Sequence, residues 1–285
     1  HTYVSPYEIS LSLLSNSFLS HYSALYVNDL TLNTPKDIYI NKEQSRKHFY
    51  SNQEFSITQG RIDYAFSKKM RRSNMIYAFT YEDISYKVHV LNSKNTNNTG
   101  VITKKVIGFS GPIKTTNTER TLIDVTVRPG YSGGPIEILE AFSRAKNSIN
   151  LKKLWDYLKQ FNHSYPYYKA IAFYLKYANY EYKSELKKYY DDDSRNNLTF
   201  YLDYQMISPK RDDELNIFFP KNIPSKWPYS WSYFSRGWEN APENSKRRRI
   251  ALTKTLILCL FKVFVFQKKD WDLSFYPASL FTTIG

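Results

Sequence analysis

From Thr118 to Gly134 the chain reads TERTLIDVTVRPGYSGG, which combines a helix start, a helix stop and a glycine hinge in one stretch. Thr118 is placed to cap the first amides of a helix, since its hydroxyl accepts from otherwise orphaned N–H groups. Leu122, Ile123 and Val125 supply an apolar side, and Arg120 and Asp124, four apart, stand where opposite charges pair. Pro129 lacks the amide that would continue the helix. Ser132-Gly133-Gly134 then permits backbone with positive φ. Pro135 suits the first position of a second helix, whose Ile136, Leu139 and Phe142 share a face. The pattern predicts helix, hinge, helix, with Arg120, Asp124, Gly133 and Gly134 as its structural signature. It holds no nucleophile beside a base, no metal-spaced ligands and no phosphate-cradling loop, so a fold rather than a reaction is expected from it.

The flanking sequence fills out an α+β chain. Ser5-Pro6-Tyr7-Glu8 has the form of a capping box with proline at the first helical position, and Ile9, Leu13 and Leu14 carry an apolar stripe. Phe18, Leu19, Tyr22, Leu25 and Tyr26 follow helical spacing until Asn28-Asp29. Short β segments are expected at residues 37–40, 54–57, 74–81, 86–91 and 101–109, with Glu82-Asp83 as a hairpin turn and 92–100 as a polar loop. Asn150 caps a helix through Leu151, Leu154, Trp155, Leu158 and Phe161, and another starts near Pro166 that is apolar almost all round. A charged helix at 181–190 and two antiparallel strands at 198–204 and 215–219 complete the body. The predicted fold class is α+β, a mixed short-stranded sheet flanked by helices with a helical second half.

The charge balance favours a polyanionic partner: 40 Lys and Arg against 26 Asp and Glu leave +14, with a sequence pI near 9.5. AT-rich coding gives the same lysine-rich composition, so the location of the cations matters more than their number. Lys68-Lys69-Met70-Arg71-Arg72 is the densest cluster in the body and lies next to Tyr64 and Phe66. Lys68, Lys69, Arg71 and Arg72 are the candidate phosphate-contacting residues; as a solvated loop they serve solubility alone. Cys259 is the only cysteine, so no intramolecular disulfide forms and a reducing cytoplasm is expected. The first residues do not form a secretory signal.

Catalytic readings are thinner. Glu181-x-Lys183 and Glu185-x-Lys187 match the short half of a restriction-type nuclease site, in which carboxylates hold Mg²⁺, but such triplets are common on charged helices. Residues 191–193 and 212–214 are acidic without the spacing of a calcium loop. His1, His21, His48, His89 and His163 are scattered, and Ser132 lacks the context of a nucleophile elbow. No catalytic activity and no cofactor are expected. The alternatives are a Mg²⁺-dependent nuclease of a defence system or a protein-interaction module.

The segment T-x-x-E-R-T-L-x-D (Thr116 to Asp124), followed by Pro129 and Gly133-Gly134, resembles the AbiEi family, antitoxins of type IV toxin–antitoxin systems and predicted transcriptional regulators of viral defence. So does the run from Ser5-Pro6-Tyr7-Glu8 through Tyr22-Ser23-Ala24-Leu25-Tyr26 to Leu30, Pro35 and Asp37-Ile38-Tyr39-Ile40. The likeness runs from about Val4 to about Trp227. It implies a non-catalytic antitoxin and autoregulator whose functional partner is a nucleotidyltransferase toxin, opposed without a stable complex. Family members usually begin with a winged helix-turn-helix, so operator recognition is expected from a domain preceding His1, with auxiliary DNA contact from the basic body.

Beyond residue 226 the composition shifts. Trp227, Trp231, Trp238 and Trp271, the KRRR run at 246–249 and the apolar run at 250–266 mark a divergent tail, giving an expected division into 1–226 and 227–285. Lys254 and Lys262 interrupt the apolar run below the roughly 18 residues that a membrane span needs, so no membrane association is expected.

Overall fold

The computed structural model describes residues 4–45 and 57–224. The expected strand at 54–57 falls largely outside them, and so do His1, His48, Cys259 and the tail from 227 to 285. Along the chain the elements are α1 (Pro6–Ser12), β1 (Phe18–Leu19), α2 (His21–Val27), β2 (Asp37–Glu43), α3 (Gln59–Ser67), β3 (Ile76–Tyr81) and β4 (Ile84–Ser93). There follow β5 (Val101–Lys104), β6 (Ile113–Thr116), α4 (Thr118–Val127), α5 (Pro135–Arg144), α6 (Leu151–Phe161), α7 (Tyr167–Tyr177) and α8 (Lys183–Tyr190). The last three are β7 (Phe200–Tyr201), β8 (Lys210–Asp212) and β9 (Ile217–Phe219). The fold is α+β, with a mixed six-stranded sheet ordered β3-β4-β2-β1-β6-β5 and a three-stranded sheet ordered β7-β9-β8. None of its described helices is long and apolar enough to cross a membrane.

Side-chain caps start α1, α4 and α6. The Ser5 hydroxyl accepts from Tyr7 N, and Glu8 accepts in return from Ser5 N at 2.8 Å, completing the capping box. At α4 the cap is Asn117, not Thr118: Asn117 Oδ1 accepts from Arg120 N at 3.0 Å, and Thr118 is the first helical residue. Asn150 caps α6 as expected. Leu13 does not extend an apolar stripe; α1 has ended at Ser12, and Leu13 is exposed.

Tertiary pairing overrides periodicity in several places. Phe18 and Leu19 form an inner strand, antiparallel to β2 and parallel to β6, instead of opening a helix. Both are fully buried, and sheet pairing satisfies backbone that a helix there would withdraw from β2. The strand expected at 101–109 stops at Lys104, and β6 pairs back on β5 after a loop. Residues 59–67, between the strands expected at 54–57 and 74–81, form α3, which buries Ile62 and Phe66. Glu181 precedes α8 rather than belonging to it. β7 and β9 run parallel, not antiparallel, because β8 intervenes and itself forms the antiparallel pair with β9.

Alternation along β2 sets up two cores. Ile38 and Ile40 face Val88 and Val90 with Tyr7 and Leu19, whereas Tyr39 packs with Leu91 and Tyr131 on the opposite side. The largest core surrounds α7, which is buried continuously from Tyr167 to Leu175 as an all-round apolar helix should be. Trp155, Phe142, Phe173 and Tyr174 are fully buried there, each large aliphatic or aromatic side chain contributing roughly 1.5–3 kcal/mol.

Candidate nucleic-acid interface

The hinge forms as the glycines require. α4 ends at Val127, a single 3-10 turn covers Pro129–Tyr131, and Gly133 and Gly134 adopt φ of +78° and +87° before Pro135 starts α5. The basic loop lies directly on it. A Cβ at Gly130 would stand 2.8 Å from Met70 Cε and 3.4 Å from Arg72 Nη2, so the glycine permits that approach. Ser73 N donates to Tyr131 Oη at 2.6 Å, and Ser73 Oγ donates to the Val90 carbonyl at 2.7 Å.

Pinned at Met70 and Ser73, the loop presents Lys68, Lys69, Arg71 and Arg72 to solvent. Lys68 Nζ lies 5.1 Å from the centroid of the Tyr64 ring, which is 69% exposed and so open to a planar partner. Among the described residues no carboxylate lies within ion-pair distance of these four cations. The same holds for half-buried Arg128 at the end of α4. Five cations without counter-ions among the described residues thus border one hinge.

Aromatic packing stiffens the base of this surface. Tyr131 meets Tyr39 and His21 at centroid distances of 5.4 Å each, and His89 stacks on Tyr39 at 4.8 Å while its Nε2 bonds Asp37 Oδ1 at 2.7 Å. Burial, with Arg128 and Arg120 adding to it, pushes the His21 imidazole down to about 3. It is therefore neutral at physiological pH and adds no charge to the surface.

Arg120 and Asp124 belong to a separate cluster of polar contacts. Arg120 Nε is 3.4 Å from Asp124 Oδ2, but Nη1 is 2.9 Å from Glu43 Oε1 and donates to Thr96 Oγ1 and to the Thr99 carbonyl. The guanidinium sits between the Phe18 and Phe161 rings at 5.2 and 5.4 Å. Burial pushes the Glu43 carboxyl up, but bonds from Thr96, Asn98 and Arg120 outweigh it and hold the group below its ordinary value. Asp124 stands above its ordinary value because burial outweighs Arg120. The signature pair is thus part of a buried network whose main acid, Glu43, is far away in sequence and carries no local signal.

The other candidates do not converge. Lys183 pairs with Glu214 at 2.6 Å, and Glu185 Oε2 is buried without a hydrogen-bond partner among the described residues. Asp193 pairs with Arg195, Asp212 and Glu214 with Lys176, and Asp213 with Arg211. Among the described residues no three His, Cys, Asp or Glu side chains are grouped to hold a metal ion. Ser132 is buried with its Oγ unpartnered there. Sequence reading passed over Arg128, whose only local sign is a cation next to the helix-ending Pro129.

No protein-family model matches this chain, and no curated protein sequence matches it.

Proposed function

We propose that this chain is the effector part of an AbiEi-type antitoxin, a non-catalytic cytoplasmic protein that contacts DNA through the loop carrying Lys68, Lys69, Arg71 and Arg72. The observation that carries the nucleic-acid part is the absence of acid partners for these cations among the described residues, on a loop anchored by Met70 and Ser73. Exposed cations without internal acids release counter-ions when they meet phosphates, and this yields affinity that depends on salt and hardly on sequence. The antitoxin part rests on the residues around Thr116–Asp124 and on the hinge glycines. In this reading the chain assists an operator-reading domain and opposes a nucleotidyltransferase toxin without forming a stable complex with it.

Fluorescence anisotropy with a labelled duplex tests the interface. The wild-type chain binds, and the variant with all four cations replaced by glutamine binds more weakly. Equal affinity of the two overturns it. Incubation with supercoiled DNA and Mg²⁺ tests the non-catalytic assignment: cleavage that disappears in Glu185→Ala overturns it. Growth rescue in cells that express a nucleotidyltransferase toxin tests the antitoxin role, and continued growth arrest overturns it.

A further inference from the structure

β3 is an outer strand of the six-stranded sheet, and among the described residues no strand pairs with its free edge. Native edge strands are commonly kept short or carry charges, proline or bulges, because bare N–H and C=O groups template further pairing. The opposite edge follows that rule: β5 has four residues and ends on Lys104, whose Nζ donates to the Val27 carbonyl at 2.7 Å. β3 does not. Its residues, Ile76-Tyr77-Ala78-Phe79-Thr80-Tyr81, include no charge and no proline, and its register with β4 runs without a bulge. Ile76 and Tyr77 are 49% and 50% exposed.

The register fixes which backbone groups are bare. Hydrogen-bonded pairs alternate along an antiparallel ladder. Val90 N donates to the Met75 carbonyl at 2.9 Å, so Met75, Tyr77, Phe79 and Tyr81 bond to β4, and Ile76, Ala78 and Thr80 turn their N–H and C=O groups outward. β2 pairs with β4 only from Lys87 onward, so the hairpin from Phe79 to Tyr86 runs past β2. Phe79 and Tyr86 stack across it at 5.5 Å. A two-stranded hairpin is marginally stable in water by itself, so a further strand laid against it is stabilising.

The two ends of β3 carry opposite charge. Arg71 and Arg72 precede the strand, and Glu82 and Asp83 follow it in a two-residue turn. All four are exposed, and none has an ion-pair partner among the described residues. An antiparallel copy of the same strand reverses the order, so each basic end meets an acidic one.

We propose that β3 pairs antiparallel with β3 of a second copy of this chain, centred on Tyr77. Ile76 then exchanges backbone bonds with Ala78 of the second copy. The two Tyr77 side chains stand opposite each other at a non-hydrogen-bonded position, where cross-strand side chains come closest. In the same count Arg72 falls opposite Glu82 of the second copy and Arg71 opposite Asp83 of the second copy. Two-fold symmetry repeats both pairs, which makes the interface isologous. The pairing stands apart from the DNA reading, which retains Lys68 and Lys69 when Arg71 and Arg72 face the second copy.

Sedimentation velocity of the whole chain over a concentration series tests this at 0.15 M salt. There the Debye length of about 8 Å screens the overall charge of +14 but not ions in contact. The wild-type chain is expected to dimerise. Ala78→Pro removes an outward donor while sparing the bonds to β4, and is expected to leave only monomer. Arg72→Glu and Glu82→Arg each set like charges opposite each other and are expected to weaken dimerisation about tenfold. Mixed together, these two variants form a heterodimer in which both pairs are again opposite in charge, so association returns; a misfolded variant is not rescued in this way. Thermal melting checks that Ala78→Pro folds, and the two charge variants, which lie outside β3, decide the matter if it does not. A wild-type chain that stays monomeric overturns the proposal. So does a dimer that survives in folded Ala78→Pro, or a pair of charge variants that fails to associate on mixing.

Discussion

Arg120 Nη1 lies 2.9 Å from Glu43 Oε1, with side-chain exposures of 2% and 4%, and this ion pair ties α4 to β2 across 77 residues of sequence. The same guanidinium holds the 95–100 turn through Thr96 and Thr99. Removing Arg120 therefore strands an acid and two acceptors at once.

Arg120→Met is expected to cost about 3–5 kcal/mol of unfolding free energy, the range for leaving a buried charge uncompensated. Asp124→Asn should cost less than about 1 kcal/mol, since its separation from Arg120 is longer, at 3.4 Å, and burial already disfavours its charged form. Urea denaturation of both variants checks the ranking. A larger loss for Asp124→Asn would make the i,i+4 pair, not Glu43, the principal partner.

Two glycines separate strain from crowding. Gly134 has φ of +87° and ψ of −176° with open space around it, so Gly134→Ala should cost roughly 1–3 kcal/mol from backbone strain alone. Gly100 combines φ of +75° with a Cβ position 2.7 Å from Arg120 Cβ and 3.0 Å from Asn117 Oδ1, so Gly100→Ala should be the more damaging. Thermal melting that reverses this order refutes the close approach at Gly100.

Stability should fall as pH drops below the ordinary histidine value of 6.5. His21 and His163 are held down to about 3 and about 4, so between those values and 6.5 the unfolded chain takes up protons that the folded chain refuses. Each histidine then removes up to about 1.4 kcal/mol per pH unit. Denaturation at several pH values should show this slope, and His163→Phe should make it shallower; an unchanged slope would mean that His163 titrates normally. Glu43 and Asp193 act lower down. Hydrogen bonds with Arg195 hold Asp193 below its ordinary value, so the stabilisation from both acids is present above their unfolded values and is lost as pH falls through the folded ones.

The basic loop predicts a salt dependence. Neutralising any one of Lys68, Lys69, Arg71 or Arg72 should flatten the plot of log affinity against log salt by about 0.9 for duplex DNA, the share of one bound phosphate. Single glutamine variants titrated at several salt concentrations measure it. Slopes identical to wild type would place the phosphates elsewhere.

Helix caps at Ser5 and Asn150, the hinge at Gly133 and Gly134 and the all-round apolar character of α7 were legible along the chain because each depends on residues within a turn or two of itself. The Glu82-Asp83 hairpin was legible for the same reason, and both residues take positive φ. Long-range pairing was not. Phe18 and Leu19 have helical spacing, yet the backbone groups of β2 and β6 draw them into a strand, and β8 decides the direction of β9. The candidate surface divides in the same way. Lys68 to Arg72 stand out as a local run of charge, but that the loop sits on Gly130 and has no carboxylate within ion-pair distance among the described residues follows only from packing. Glu43 and Arg195 become meaningful through what the folded chain brings against them, because burial and hydrogen bonding are set by neighbours in space rather than by neighbours in sequence.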